Sequence, residues 1–228
     1  MVLNGLSKQH SNSGGGGNYP VYEGSGAFKA QGAASSIVIE YPTTVNEDDI
    51  VIIQLSISGT GSFTTPSGWS VINNNNTSQM PTLSIWKRAS GTEGGSSVSV
   101  ATSTFSTATC GIMYRFSGCI STGTPFDYIV TLGLGSRSVT SINYTNIDNT
   151  YNGLGVALFH QDDNVGWTNT GTDGYTEASN QQTGVSSDLR IALQIKDVDL
   201  NTTAGEAEYT ATANDNTVAT SILLKQEL

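Results

Sequence analysis

From residue 35 to its end this chain is a procession of short β-branched runs, and that pattern constrains its fold more than any other feature. "SIVIEY" and "DIVIIQLSI" come first, joined by "PTTVNED"; "TLSIWKRA", "SSVSVATS" and "TATCGIMYRF" follow, separated by Gly- and Ser-bearing turns. Later come "SVTSINYT", "LGVALFHQ", "DLRIALQIKDV", "EAEYTATA" and "TVATSILLKQ". In "TATCGIMYRF" the period of two places Ala108, Cys110, Ile112, Tyr114 and Phe116 on one face. In "DLRIALQI" it turns Leu189, Ile191, Leu193 and Ile195 inward and Arg190, Gln194 and Lys196 outward. No window carries a helix-period stripe. Short strands at this spacing, with turns between, predict an all-β antiparallel sandwich of jelly-roll type.

The second half echoes the first. "DIVIIQLSI" matches "LGVALFHQD", "SGWSVI" matches "DGYTEA", "TLSIWKR" matches "DLRIALQ", and "TATCGIMYRF" matches "TVATSILLKQ". We therefore expect one sandwich domain over 27–228, built from related halves at about 35–120 and 121–228. A Gly followed by an aromatic residue recurs at Gly68-Trp69 and Gly174-Tyr175, each between two strands. Pro66 presets the first of these turns and Gly68 admits its backbone angles. A ligand pocket is expected once and a structural plug once per half, so both rings read as plugs.

Residues 1–26 differ in kind. "SNSGGGGNYP" is flexible by composition, because glycine loses the most entropy on ordering. Val2, Leu3 and Leu6 precede it, and Tyr19, Val21 and Tyr22 follow. The segment reads either as a disordered tail or as a flexible arm whose apolar residues order against a neighbouring subunit. "MVLNGLSKQHSNSGGGG" lacks the apolar run of a signal peptide, and no 18-residue apolar stretch occurs. The expectation is a protein made in the cytoplasm without a membrane partner.

The net charge of −10 and pI near 4.4 repel phosphate backbones and argue against a nucleic-acid partner. Cys110 and Cys119 would lie roughly 30 Å apart on one extended strand at ~3.3 Å per residue, too far for a disulfide. Both read as small core residues of a protein assembled under reducing conditions.

Residues 35–226 resemble the β-sandwich domains that recur in bacteriophage virion proteins and in large surface proteins of environmental bacteria. The resemblance rests on "NEDDIVIIQLSI", "TTPSGWSVI", "IWKRASGTEGGSSVSV", "MYRFSG" and "TPFDYI". Asp48-Asp49 stands where that pattern has Gly-Asp, and Ser67 where it has a second Pro. The resemblance implies a β-sandwich and a phage or surface setting. It carries no catalytic residue.

Chemistry-bearing motifs are sparse. There is no G-x-S-x-G, and neither cysteine has a His nearby in sequence. Of the two histidines, His10 lies in the arm and His160 ends a strand. Glu47, Asp48, Asp49, Asp162, Asp163, Asp173, Glu206 and Glu208 fall at turns or strand ends, where capping and solvated surface account for them. "NEDD" and "HQDDN" hold oxygens suited to a hard cation but lack EF-hand spacing. No catalytic residue, metal site or cofactor is expected. Trp86 lies opposite Leu83 and Ile85 in the alternation, on the expected outer face, and Trp167 sits in the polar loop "DDNVGWTNTGTDGY". Both join Val2, Leu3, Leu6, Tyr19, Val21 and Tyr22 as candidate partner contacts. The expected function is that of a non-enzymatic, self-associating capsid decoration protein of a phage virion, bound to other virion proteins. The alternative is a receptor- or carbohydrate-binding module of a tail or fibre.

Overall fold

A computed structural model describes residues 19–75, 80–103, 108–134, 142–144, 151–162, 167–169, 173–184, 189–202, 204–211 and 216–227. They hold strands, turns and irregular connections, and no helix. The first half contributes β1 (Val21–Ser25), β2 (Lys29–Gln31), β3 (Ser36–Glu40), β4 (Glu47–Ile57), β5 (Phe63–Thr64), β6 (Ser70–Asn75), β7 (Thr82–Ser90), β8 (Ser97–Thr102) and β9 (Thr109–Ser117). The second contributes β10 (Phe126–Leu134), β11 (Ile142–Tyr144), β12 (Gly153–Asp162), β13 (Trp167–Asn169), β14 (Thr176–Gln182), β15 (Leu189–Val198), β16 (Gly205–Ala207), β17 (Tyr209–Ala211) and β18 (Thr217–Lys225).

Each half has one large and one small sheet, all antiparallel. The large sheets run β1-β9-β4-β7-β6 and β10-β18-β12-β15-β14, position for position the same, with β2 continuing the β1 edge. The small sheets are β3-β8-β5 in the first half and the two pairs β11-β16 and β13-β17 in the second. With β2 set aside, the first half's large sheet holds its first, eighth, third and sixth strands, and the small sheet its second, seventh and fourth. That is the jelly-roll order, with the fifth strand, β6, moved outside β7.

The expected all-β antiparallel sandwich holds, and its sheets lie in four layers, with the two halves stacked through their large sheets. Three buried clusters show this. Val51, Ile53, Leu55 and Ile57 of β4 pack with Ile37, Ile39, Phe63 and Val100 inside the first half. Ala157, Phe159, Ala192 and Leu223 pack with Ala207 and Tyr209 inside the second. Between the large sheets lies a shared core with Ile50, Ile52, Ile112 and Phe116 from one half and Val156, Leu158, Ile191 and Ile222 from the other. Strands β4, β9, β12 and β18 are therefore buried on both faces, and one inward face per strand was too few.

The alternation of residues 108–116 holds, because all five named side chains enter the shared core. Leu189, Ile191 and Leu193 do likewise and Ile195 packs against them, but Gln194 on the opposite face is fully buried, not exposed. The repeat alignment fails at one place. Leu83 points into the first half's own core while its supposed counterpart Leu189 points into the shared one.

The two plugs hold. Trp69 packs on the first half's core beside Tyr41, ring centroids 6.2 Å apart, and Tyr175 is buried in the second half's core. Gly68 and Gly174 both have positive φ, 81° and 86°, so each turn needs its glycine. The body also begins earlier than the expected boundary at residue 27. β1 pairs with β9, and Tyr22 packs against the rings of Tyr114 and Phe116 at 6.2 and 5.7 Å. An aromatic side chain that finds two rings on an open edge has reason to fold with the body.

All four edges of the large sheets carry a register break: at Tyr22/Gly24 in β1, Val71/Asn73 in β6, Asp127/Val130 in β10 and Glu177/Ser179 in β14. Bulged edges resist strand addition. The chain enters and leaves this body at one point. A Cβ on Gly118 would lie 3.3 Å from the Tyr19 carbonyl oxygen, and the Glu227 amide donates to the Gly118 carbonyl at 3.0 Å.

Candidate functional site

The densest group of polar side chains lies inside the seam between the halves. Gln54 and Ser56 point from β4 into the shared core, beside Ser84 and Thr82 of β7 on one side and Ile112 and Cys110 of β9 on the other. The Gln54 Nε2 amide donates to the Phe159 carbonyl of the other half at 2.7 Å, and Gln54 Oε1 accepts from the Tyr114 hydroxyl at 2.8 Å. Ser56 Oγ and His160 Nδ1 share a hydrogen bond of 2.7 Å across the same seam. Gln54, Ser56, Tyr114 and His160 have no exposed surface. Burial lowers the His160 pKa to about 3, so the ring is neutral, and burial also raises the Cys110 thiol and the Tyr114 phenol.

A hydroxyl beside an imidazole is the beginning of a nucleophile–base pair. Here the hydroxyl meets Nδ1, both groups are sealed between two sheets, and Nε2 has no hydrogen-bond partner. What this arrangement does is fix how the halves face each other. A polar pair in an apolar seam satisfies its hydrogen bonds in one register only. Sequence reading passed over Gln54 and Ser56, although a Gln and a Ser inside "DIVIIQLSI" were the available signal.

The candidate partner contacts fall in different places. Val2, Leu3 and Leu6, together with His10, lie outside the described residues. Tyr19 is at the root of the arm, and its hydroxyl bonds Asp199 of the second half, which together with burial raises its pKa to about 12. Val21 is 46% exposed on β1, whereas Tyr22 is turned into the body. Trp86 does lie opposite Leu83 and Ile85, but that face is the seam and not the outside. It is partly buried there and meets Phe126 of the other half edge-on at 5.6 Å. Trp167 pairs with Ala211 at the start of β13.

The carboxylates divide too. Glu47, Asp48 and Asp173 are exposed, as solvated turns require. Asp49 is buried instead: its Oδ2 takes the Arg115 Nε at 2.5 Å and the Asn46 amide at 2.7 Å, closing the turn before β4. Asp163 and the Glu206 side chain lie outside the described residues. Among the described residues, no three His, Cys, Asp or Glu side chains are grouped as metal ligands. Cys110 and Cys119 are free thiols, both buried in the shared core.

No family model matches this sequence, and neither a curated protein nor a solved structure matches it.

Proposed function

We propose that this chain is a non-enzymatic structural protein of a phage virion, a decoration protein that sits on the shell and is fastened by its N-terminal arm. One observation supports this best. The strand following the arm is seated in the body, with Tyr22 against Tyr114 and Phe116 and Tyr19 reaching Asp199, so the arm leaves a rigid body at a fixed point. An arm with Val2, Leu3 and Leu6 can then lay an apolar segment into a groove, or add a strand, on a neighbouring shell protein. Repetition of such contacts by shell symmetry supplies avidity.

The resemblance of residues 35–226 to virion and surface sandwiches supports the setting. The jelly-roll order of each half supports it as an analogy of fold, since jelly rolls occur in capsid and lectin domains. The bulged sheet edges fit a body that does not pair with neighbours through its own strands.

Quantitative co-sedimentation of the full chain, and of a chain lacking residues 1–18, with particles from the source that carries the gene tests the proposal. The full chain should saturate the shell at a fixed stoichiometry, and the shortened one should lose most of its affinity while melting at the parent's temperature. A full chain that ignores the particles but binds a glycan, or one that turns over a polysaccharide, would overturn it.

A further inference from the structure

We propose that His160 makes the cohesion of the two halves acid-sensitive, because a proton taken up there leaves an unpaired cation sealed in the seam. The geometry is specific. His160 sits on β12, a central strand of its sheet, with Ile191 of β15 and Val218 of β18 beside it in the ladders. Across the seam it meets Ser56 of β4, which is flanked by Thr82 of β7 and Cys110 of β9. One hydrogen bond through Nδ1 ties it to the other half, and Nε2 has no partner.

Among the described residues, the titrating side chains that face the seam from β4, β7 and β9 are Cys110 and Tyr114, and burial keeps both protonated. The nearest carboxylate on the same face of β12 is Asp162, two residues and ~7 Å along the strand at the less buried end. Burial alone accounts for the resistance of the ring to protonation. Among the described residues a charged imidazole therefore gains no ion pair inside the seam, and keeps at most the Ser56 hydroxyl.

The ring's folded pKa is depressed to about 3 from an ordinary 6.5. Below pH 6.5 the unfolded chain binds a proton that the folded one refuses. The contribution is thus fully present above pH 6.5 and is lost as pH falls from 6.5 toward 3. The folding constant should drop by up to tenfold per pH unit in that window, or about 30-fold between pH 7.5 and pH 5.

The test is urea denaturation of the full chain and of His160→Gln at pH 7.5, 6.5, 5.5 and 5.0. Glutamine can still bond Ser56 but does not titrate. The parent should lose about 30-fold more than the variant between the extremes, and parallel losses would overturn the proposal. A second measurement serves if the variant does not fold: an NMR titration of the full chain labelled at its two histidines, His10 and His160. The His160 ring should stay neutral to pH 5 with the fold intact. Two rings titrating between pH 6 and 7 in the folded protein would equally sink it.

Discussion

Individual side chains in this molecule are held by burial at least as much as by pairing. Ser56→Ala removes the hydrogen-bond partner of His160 Nδ1 and should cost about 1–3 kcal/mol, because a buried imidazole nitrogen then loses its bond. Urea unfolding at pH 7.5 measures it; a loss below ~0.5 kcal/mol would show that the pair is idle. Glu93 behaves differently. Burial alone would raise its pKa, but Lys87 and the amide and hydroxyl of Ser90 outweigh that and bring it to about 2. Its carboxylate accepts the Ser90 and Thr92 amides and so closes the turn after β7. A depressed carboxylate stabilises the fold above its unfolded pKa, near 4.5, and the benefit fades as pH falls toward 2. Glu93→Gln should therefore lower the melting temperature by roughly 2–4 °C at pH 7, with the gap from the parent closing as pH falls toward 2. A constant gap across that range would contradict the assignment.

At the scale of strands, position was legible in the sequence and partnership was not. The runs at "DIVIIQLSI", "TATCGIMYRF" and "LGVALFHQ" are strands as read, and the Gly-aromatic turns are plugs as read. What the alternation could not say is which of two buried faces meets which core. When Ile50 and Val51 are both fully buried, period two carries no inside and outside. That ambiguity let Leu83 be matched to Leu189 across opposite faces, and placed Trp86 outside when it lies in the seam. The polar residues Gln54, Ser56 and His160 in otherwise apolar strands were the local trace of a second interface. The arm boundary slipped for a related reason. "VYEGS" is too short and too polar to declare itself a strand, and only the rings on β9 make it one. Two truncations separate arm from strand. Removing residues 1–18 should leave the melting temperature unchanged. Removing residues 1–26 should destabilise the body by about 2–4 kcal/mol, since the partly buried Tyr22 leaves Tyr114 and Phe116 uncovered, somewhat less than the ~3–5 kcal/mol of a fully buried aromatic truncated to Ala. Equal melting temperatures would show that β1 contributes nothing.

The whole molecule is a pair of sandwiches with one connector, running from Gly118 to Pro125. Its residues Thr122, Gly123 and Thr124 are exposed, while the shared core on either side is extensive. Replacing residues 121–124 by a protease recognition site and cutting the folded protein should leave both pieces together on gel filtration. They should separate only when urea unfolds them. Pieces that part under native conditions would mean that the shared core is too weak to hold the halves without the connector.

The meeting of chain entry and chain exit at Gly118 gives this body a handedness of use. Whatever is grafted before Tyr19 or after Glu227 emerges from the same patch, so both ends act as one hinge pin, not as opposite ends of a rod. Force applied between its ends loads one corner, where the start of the first half and the end of the second meet at Gly118, and not the breadth of the shared core. Pulling on the two termini should peel β1 and the end of β18 from a common corner, strand by strand and at low force. Load applied between the two outer sheets would instead meet the whole shared core at once.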